Sequence, residues 1–402
     1  VFTDYVLNGT GFGEVGQHLA GSQFQPNLLR PYLDENNVPC VTANMARPSS
    51  PARYEKVPIA EMQRRGTVSP VYNAATMLRK EEWLLLDQVV LRAARYRLRA
   101  WLDLAGSNTF GGFNGMSKMI LEHEMMSDPG EAIVDMDALT PGRTDSPQFQ
   151  LQGIPLPITH SDFWFSSRLL SISRNTGTPL DVQQGEAAAR RVAEAIEKTT
   201  IGNQLGTLYG GFSTYIGGYA GPSQVWGYTN FPNRITTNIV APTTAGWVAG
   251  DLLDEVLMCR DLLYANKFYG PFMIYHSNDW DRYLDNDYIL TGGNVATQTL
   301  RDRLRAIEGI QDVRRLDFLF SIIPPPTTGP GGENVTQGYP FTLLFVQMTP
   351  DVARAINGMD ITTVQWESIG GMRLNFKVLC IQVPQLRRDF YGNCGILHAT
   401  GV

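Results

Sequence analysis

Cys259 and Cys394 with His276 and His398 are the residue types from which a thiolate–imidazole pair could be built. Asp279, Asp281, Asp285 and Asp287 add a run of carboxylates. Covalent catalysis needs nucleophile and base within hydrogen-bond reach, with a third group orienting the base. None of these residues is spaced as a recognisable motif. The five histidines (His18, His123, His160, His276, His398) stand singly along the chain and read as structural. The four cysteines, Cys40, Cys259, Cys380 and Cys394, form no CxxC pair, the pattern of free thiols in a reducing compartment. Val134-Asp135-Met136-Asp137 is half of an oxygen-rich metal loop, without the further ligands and glycine spacing of a calcium site. The stretch 208–222, LYGGFSTYIGGYAGP, is glycine-rich, but neither a GxxxxGK nor a strand–GxGxxG–helix context surrounds it. It reads as an aromatic-packed turn region instead of a phosphate cradle. The expectation is no catalytic residue, no cofactor and no metal.

The charged residues group differently. Glu122, Glu124, Asp128, Glu131, Asp135, Asp137 and Asp145 make one stretch acidic, whereas Arg190, Arg191, Arg387 and Arg388 are basic pairs elsewhere. Arg92, Arg95, Arg97 and Arg99 crowd one helical segment. They read as a solvated or subunit-facing side whose stems lie over apolar surface, in preference to a nucleic-acid patch. The 402 residues carry a net charge of −6, so no global basic signature suits wrapping nucleic acid. No apolar run approaches the ~20 residues of a membrane helix. The start at Val1 without a basic head or an apolar signal core points to proteolytic trimming and not to a secretory leader.

The elements that must position these groups follow from periodicity. The organising one is a helix over 180–202, with Val182, Ala189, Val192, Ala193, Ile196 and Thr200 on one face. Glu186, Arg190, Arg191, Glu194, Glu197 and Lys198 fill the other, and Gly202-Asn203 supplies the stop. A second helix over 79–104 has Trp83, Leu86, Val90, Ala94, Leu98 and Trp101 as its stripe. Between them KMILEHEMMS and FQLQGIPLPI read as two strands of a long ribbon. Alternation puts Glu122 and Glu124 on one face and His123 on the other. An isolated two-stranded ribbon is marginal in water, so it is expected to rest on a neighbouring molecule. The segment 160–173 reads as a strand-rich return, with Phe163, Phe165, Leu169 and Ile172 packing.

Residues 1–75 show no sustained period but carry anchoring aromatics such as Tyr5, Phe24 and Tyr54, the pattern of an extended arm. The region 242–383 reads as an α+β body. A helix capped by Thr243-Thr244 runs to about Lys267, PFMIYH is a buried strand, and 299–308 is a helix. FTLLFVQM is a strand, and 349–358 is a short helix from Thr349-Pro350-Asp351 to Gly358. A hairpin crosses Gly370-Gly371, with Leu374, Phe376, Val378 and Cys380 alternating against Arg373, Asn375 and Lys377.

This order of parts resembles the major capsid protein of tailed phages of the Hong Kong 97 type, a fold shared with encapsulins. The likeness lies in WLLLDQVVLRAARYRLRAWLDL from Trp83, GIPLPITHSDFWFSSRLL from Gly153, and TPLDVQQGEAAARRVAEAIEKTTIGN from Thr178. GPFMIYHSNDWDRYL from Gly270 adds to it. In WGYTNFPNRIT, Gly227, Asn230 and Pro232 match the family's glycine-x-x-asparagine-x-proline turn. The resemblance implies an α+β Hong Kong 97-type fold divided as follows: an N-terminal arm over 1–78, a helix and linker over 79–116, and an extended β-hairpin loop over 117–158. A peripheral domain with the spine helix would occupy 159–242, an axial domain 243–355, and a return to the peripheral domain 356–402.

It further implies a structural protein, not an enzyme, that self-assembles through pentamers and hexamers into the icosahedral head of a double-stranded DNA bacteriophage. The shell would form in the bacterial host cytoplasm. Implied partners are other copies of itself, packaged double-stranded DNA held non-specifically, and scaffolding, portal and decoration proteins, with no membrane. The acidic loop residues Glu122, Glu124, Asp128, Glu131, Asp135 and Asp137 are expected to lie across Arg190 and Arg191, or Arg387 and Arg388, of the next subunit. Some family members cross-link a lysine of this loop to a neighbour's asparagine. Here the loop's only lysine, Lys118, sits at its base. The alternatives are an encapsulin-like compartment, against which the long arm speaks because encapsulins have short N-termini, and an α+β enzyme.

Overall fold

A computed structural model describes residues 32–36, 38–44, 54–64, 82, 86, 99–127, 134, 136–137, 146–176, 183–202, 225–289, 295–319, 341–368 and 372–401. Two sheets organise them. The first has the order β4-β14-β15-β7, with β4 (Thr109–Phe110), β14 (Ala353–Ser368), β15 (Arg373–Leu386) and β7 (Thr159–Ser166). The expected hairpin is there and is longer than its alternation suggested: β14 and β15 pair antiparallel from Ala353↔Leu386 to Ser368↔Arg373. Residues 349–358 do not form a helix. A turn at Thr349, whose carbonyl accepts from Val352 and Ala353 N–H, leads straight into β14. Gly358 lies inside that strand, because its backbone passes against Gly115, which would meet an added Cβ at 2.9 Å.

The organising helix is α4 (Gln183–Ile201), packed on β7 and β15. Ala188, Ala189, Val192, Ala193 and Ile196 are buried with Phe163, Phe165, Leu374, Phe376 and Val378. Small helix residues let the backbone approach three rings, and Phe163 and Phe376 stack at 5.1 Å. The segment after β7 is a helix, α3 (Ser167–Thr176), and not a continued strand. It buries Leu170, while Leu169 and Ile172, expected inside, are exposed. Of the helix expected over 79–104, Leu86 is helical and buried, and α2 (Arg99–Ser107) carries it past Gly106 with Trp101 and Leu104 inward.

The second sheet has the order β12-β9-β13-β16-β8: β12 (Ile310–Arg315), β9 (Phe272–His276), β13 (Leu343–Gln347), β16 (Ile396–Gly401) and β8 (Ile235–Ile239). It crosses the expected boundaries at 242 and 355, since β8 precedes one and β16 follows the other, and these two pair parallel. One face is covered by α5 (Ala249–Ala265), α6 (Asp281–Leu284) and α7 (Leu300–Arg305). Helix α5 starts later than Thr243-Thr244 implied. Its first turn is held by Asp251, whose carboxylate accepts from Val248 N–H at 2.9 Å, while α7 begins on the expected Thr299 cap. The other face, with Met273, Tyr275, Leu344 and Val346, joins the same buried cluster as α4, so the two sheets share one core.

Residues in the stretch expected to be an arm also fold. β1 (Tyr32–Leu33), β2 (Pro39–Asn44) and β3 (Tyr54–Pro58) make an antiparallel sheet leading into α1 (Ile59–Arg64). Tyr32 and Cys40 belong to the shared core. A small ribbon, β10 (Asp287–Ile289) with β11 (Val295–Thr299), precedes α7. The expected long ribbon is β5 (Ile120–Met126) against β6 (Phe149–Pro155), in register from Ile120↔Pro155 to Met126↔Phe149. The glycine-rich stretch 208–222 lies outside the described residues.

Candidate assembly surfaces

The residues that could have done chemistry are not assembled to do it. Cys259 and Cys394 are buried, and desolvation pushes both thiols up to about 12, away from the thiolate. Burial lowers His276 and His398 to about 4, so both rings are neutral near pH 7. His276 is held by the Ser277 carbonyl at 2.9 Å, and His398 Nδ1 accepts from Arg234 Nε at 3.4 Å. Asp281 and Asp285 are engaged by arginines: Arg315 reaches Asp281 at 2.9 Å and Arg301 reaches Asp285 at 2.9 Å. Among the described residues no three His, Cys, Asp or Glu gather as a metal set.

The ribbon is the first surface. Its inner face, with Leu121, His123 and Met125, turns toward the protein, and its outer face carries Glu122, Glu124 and Met126 on one strand, as alternation requires. Opposite them stand Leu151 and Phe149, and Met126, Phe149 and Leu151 are all more than half exposed. The expectation of an unsupported ribbon needs one correction. Its base has a core of its own, where Ile154 and Leu156 are buried with Ile356, Met359, Leu379, Ile381 and Val383. The base is also clasped by the same chain's β15. Gln385 donates to His123 Nδ1 at 3.0 Å, and Arg387 donates to the Glu124 carbonyl at 3.4 Å. Burial first, then the Arg387 and Arg354 charges, lowers His123 to about 4.

Arg387 is thus half-buried against its own ribbon, and burial lowers its pKa, so it is not the free partner for a neighbour that the sequence suggested. Arg388 beside it is half-buried. Arg190 pairs with Glu186 at 2.9 Å along α4, and Arg191 is exposed. Asp137 is exposed, whereas Asp128, Glu131 and Asp135 lie outside the described residues.

A second feature, missed from sequence, joins the two sheets. Glu197, expected on the charged face of α4, is 2 % exposed. Its carboxylate accepts from the N–H groups of Ala100 (2.7 Å) and Trp101 (3.2 Å), which are orphan donors at the start of α2. Desolvation outweighs those bonds and raises its pKa to about 7. Beyond it Tyr228 stacks on Tyr275 at 6.0 Å, and Tyr275 donates to Asp103 at 3.1 Å. Asp103 continues into an Arg314–Asp312–Arg305 ladder along β12. Only the i, i+4 relation of Glu197 to Ala193 and Ile201, both on the apolar stripe, hinted at burial.

The turn at Gly227 closes the spine. Asn230 Oδ1 accepts from Gly227 N–H at 2.7 Å, and Tyr228 and Thr229 donate to the Thr200 and Ile201 carbonyls at the end of α4. The glycine, the asparagine and the chain reversal at Pro232 are therefore one C-terminal cap.

An α+β chain with a spine helix on a long hairpin sheet, a second sheet with helices on one face, and a projecting ribbon defines a fold class also found in phage shells. Over 74% of this chain and 90% of the other, it is similar to the capsid of Myoviridae phage XM1, with a TM-score of 0.50 at 11% identity. Lower similarity is found to a virus-like particle from Pyrococcus furiosus (TM-score 0.47, 13% identity, 79% of this chain and 98% of that one). The capsid of a native GTA particle is comparable (TM-score 0.46, 13% identity, 75% and 90%). The chain belongs to a family of unknown function, DUF6260, whose model matches residues 73–320. No curated protein matches it.

Proposed function

We propose that this chain is the major capsid protein of a tailed double-stranded DNA phage, a non-enzymatic subunit that self-assembles into an icosahedral shell. The capsid fold shared with phage XM1 supports the reading. The observation that carries it is the ribbon: Met126, Phe149 and Leu151 form an exposed apolar strip on a two-stranded element rooted in its own subunit only at its base. Such a strip is favourable in water only when another surface covers it.

In this reading 117–158 is the extended loop reaching over the next subunit, and 1–78 is the arm, with its small sheet anchoring it to the body. The spine helix and the first sheet form the peripheral domain, and the second sheet forms the axial one. Beyond other copies of the chain, the partners are packaged DNA, held non-specifically, and scaffolding, portal and decoration proteins. The place of action is the virion, assembled in the host cytoplasm. Arg191 is the spine cation left for the acidic loop residues of a neighbour. Electron microscopy and sedimentation of the purified full chain test this. Closed shells of uniform curvature are expected, and particles of subunit size at every concentration would refute it. Shells that carry a protein cargo and no DNA would favour the compartment reading.

A further inference from the structure

Opposite edges of the second sheet carry features that fit each other and cannot meet within one subunit. Near the β8 edge, α5 lies over β16 and buries Leu252, Val256, Cys259 and Leu263. Its outer side is not simply polar. Asp254, Met258, Asp261 and Leu262 form an exposed ridge, with Met258 at 44% and Leu262 at 37% of full exposure. A helix apolar on two sides is one that a partner covers. The helix holds four carboxylates against one cation, Arg260, which pairs with Asp261 at 3.4 Å and lies over the Tyr264 ring. Asp251 and Glu255 are turned to the backbone N–H groups of Val248 and Val240. Asp254 makes no ion pair among the described residues.

At the other edge a cleft of about 730 Å³ opens between α2 and β12. Leu102, 46% exposed, stands in it beside Arg99, which makes no ion pair among the described residues. The remaining walls are the arginine–aspartate ladder, in which Arg301, Arg305, Arg314 and Arg315 are each committed to a carboxylate. The edge strand itself is closed to strand addition. Val313 N–H donates to Asp312 at 2.8 Å, and its carbonyl accepts from Arg305 at 3.4 Å. A partner must therefore dock here through side chains.

We propose that the α5 ridge of one copy seats in the α2–β12 cleft of the next, an acidic ridge with two apolar side chains meeting Leu102 and the free cation Arg99. Because ridge and cleft are unlike surfaces on opposite edges, the contact is head-to-tail and closes into rings under rotation. It rests on the shell reading and names the surface through which rings form.

Charge reversal with rescue tests it. Asp254→Arg and Arg99→Glu each place like charges across every contact of a ring. Each should raise the concentration at which assembly begins by about tenfold, since a weak pair is repeated around the ring. The double variant should return it to within about twofold of the unaltered chain. In a second arm, Met258→Cys with Leu102→Cys should give a ladder of disulfide-linked oligomers on oxidation, and neither single change should, because the four native cysteines are buried. If the unaltered chain forms shells while both single reversals assemble as it does, the docking is wrong and the shell stands. A double reversal no better than the worse single, or a cysteine pair giving no ladder, also overturns it. If the unaltered chain does not assemble at all, the shell reading falls, and the ring with it.

Discussion

At the scale of single residues, Glu197 is the group whose role departs most from its chemical type. A carboxylate is removed from water so that both its oxygens can take backbone donors of a helix 96 residues earlier in the chain. Two hydrogen bonds favour the ionised form, yet burial dominates and the pKa rises from 4.5 to about 7. The sign follows from proton binding: the folded state holds this proton more tightly than the unfolded chain. Glu197 thus contributes most to stability below its unfolded value of 4.5, and the contribution is lost as pH rises to about 7, by about 3 kcal/mol. His123, His276 and His398 act oppositely. Lowered to about 4, they favour the fold fully above pH 6.5 and lose that contribution as pH falls toward 4. Glu197→Gln isolates the first effect, because the amide keeps one acceptor and does not titrate. Denaturant unfolding of both proteins between pH 5 and 8 should show the unaltered chain losing ground to the variant as pH rises. A difference that stays constant across that range would mean Glu197 is ionised throughout.

At the scale of elements, the end of α4 shows why certain residue types are required. Gly202 ends the helix at φ +91°, and a Cβ on Gly227 would stand 2.2 Å from Gly202 nitrogen and 2.6 Å from the Thr199 carbonyl. Neither is a flexible side chain that could move away. Gly227→Ala should therefore cost at least ~3 kcal/mol and drive much of the protein into inclusion bodies. Gly250→Ala, in the first turn of α5 with nothing within 4 Å, should instead stabilise by about 0.5–1 kcal/mol. Thermal melts of the two variants check both signs; a folded Gly227→Ala protein with an unchanged midpoint would remove the turn from the framework. Elements whose pattern is local were legible in sequence. The α4 stripe, the ribbon and the β14–β15 hairpin each repeat a period over many residues. Where local and distant signals competed, the distant one won. Thr349-Pro350-Asp351 is a good helix start, but pairing along all of β15 outweighs a few tenths of a kcal/mol of capping preference. The β8–β16 pairing joins residues about 160 positions apart, and nothing in either strand announces its partner.

At the scale of the whole molecule, the acidic character of the ribbon was plain in the sequence, and its apolar character was not. Met126, Phe149 and Leu151 look like interior residues until the register places them on the same face as Glu122 and Glu124. The basic partners were harder still, since only coordinates show Arg387 bound to its own subunit and Arg190 bound to Glu186. Magnitudes then decide what holds the ribbon to a neighbour. An exposed ion pair is worth ~0–1 kcal/mol and is screened over ~8–10 Å near physiological salt. Covering a Phe or Leu side chain is worth about 1.5–3 kcal/mol and is not screened. The apolar strip should dominate, with the carboxylates setting register and rate. Phe149→Ser with Leu151→Ser should therefore abolish stable shells at every salt concentration while leaving the subunit's melting temperature nearly unchanged, because both side chains are exposed in the isolated chain. Glu122→Gln with Glu124→Gln should leave shells intact but flatten the dependence of assembly rate on salt. Light scattering at several salt concentrations, with melts of the unassembled subunits, separates the two. The ranking is wrong if the serine pair assembles normally and the glutamine pair does not, and the ribbon would then be an electrostatic clasp whose strip serves some other contact.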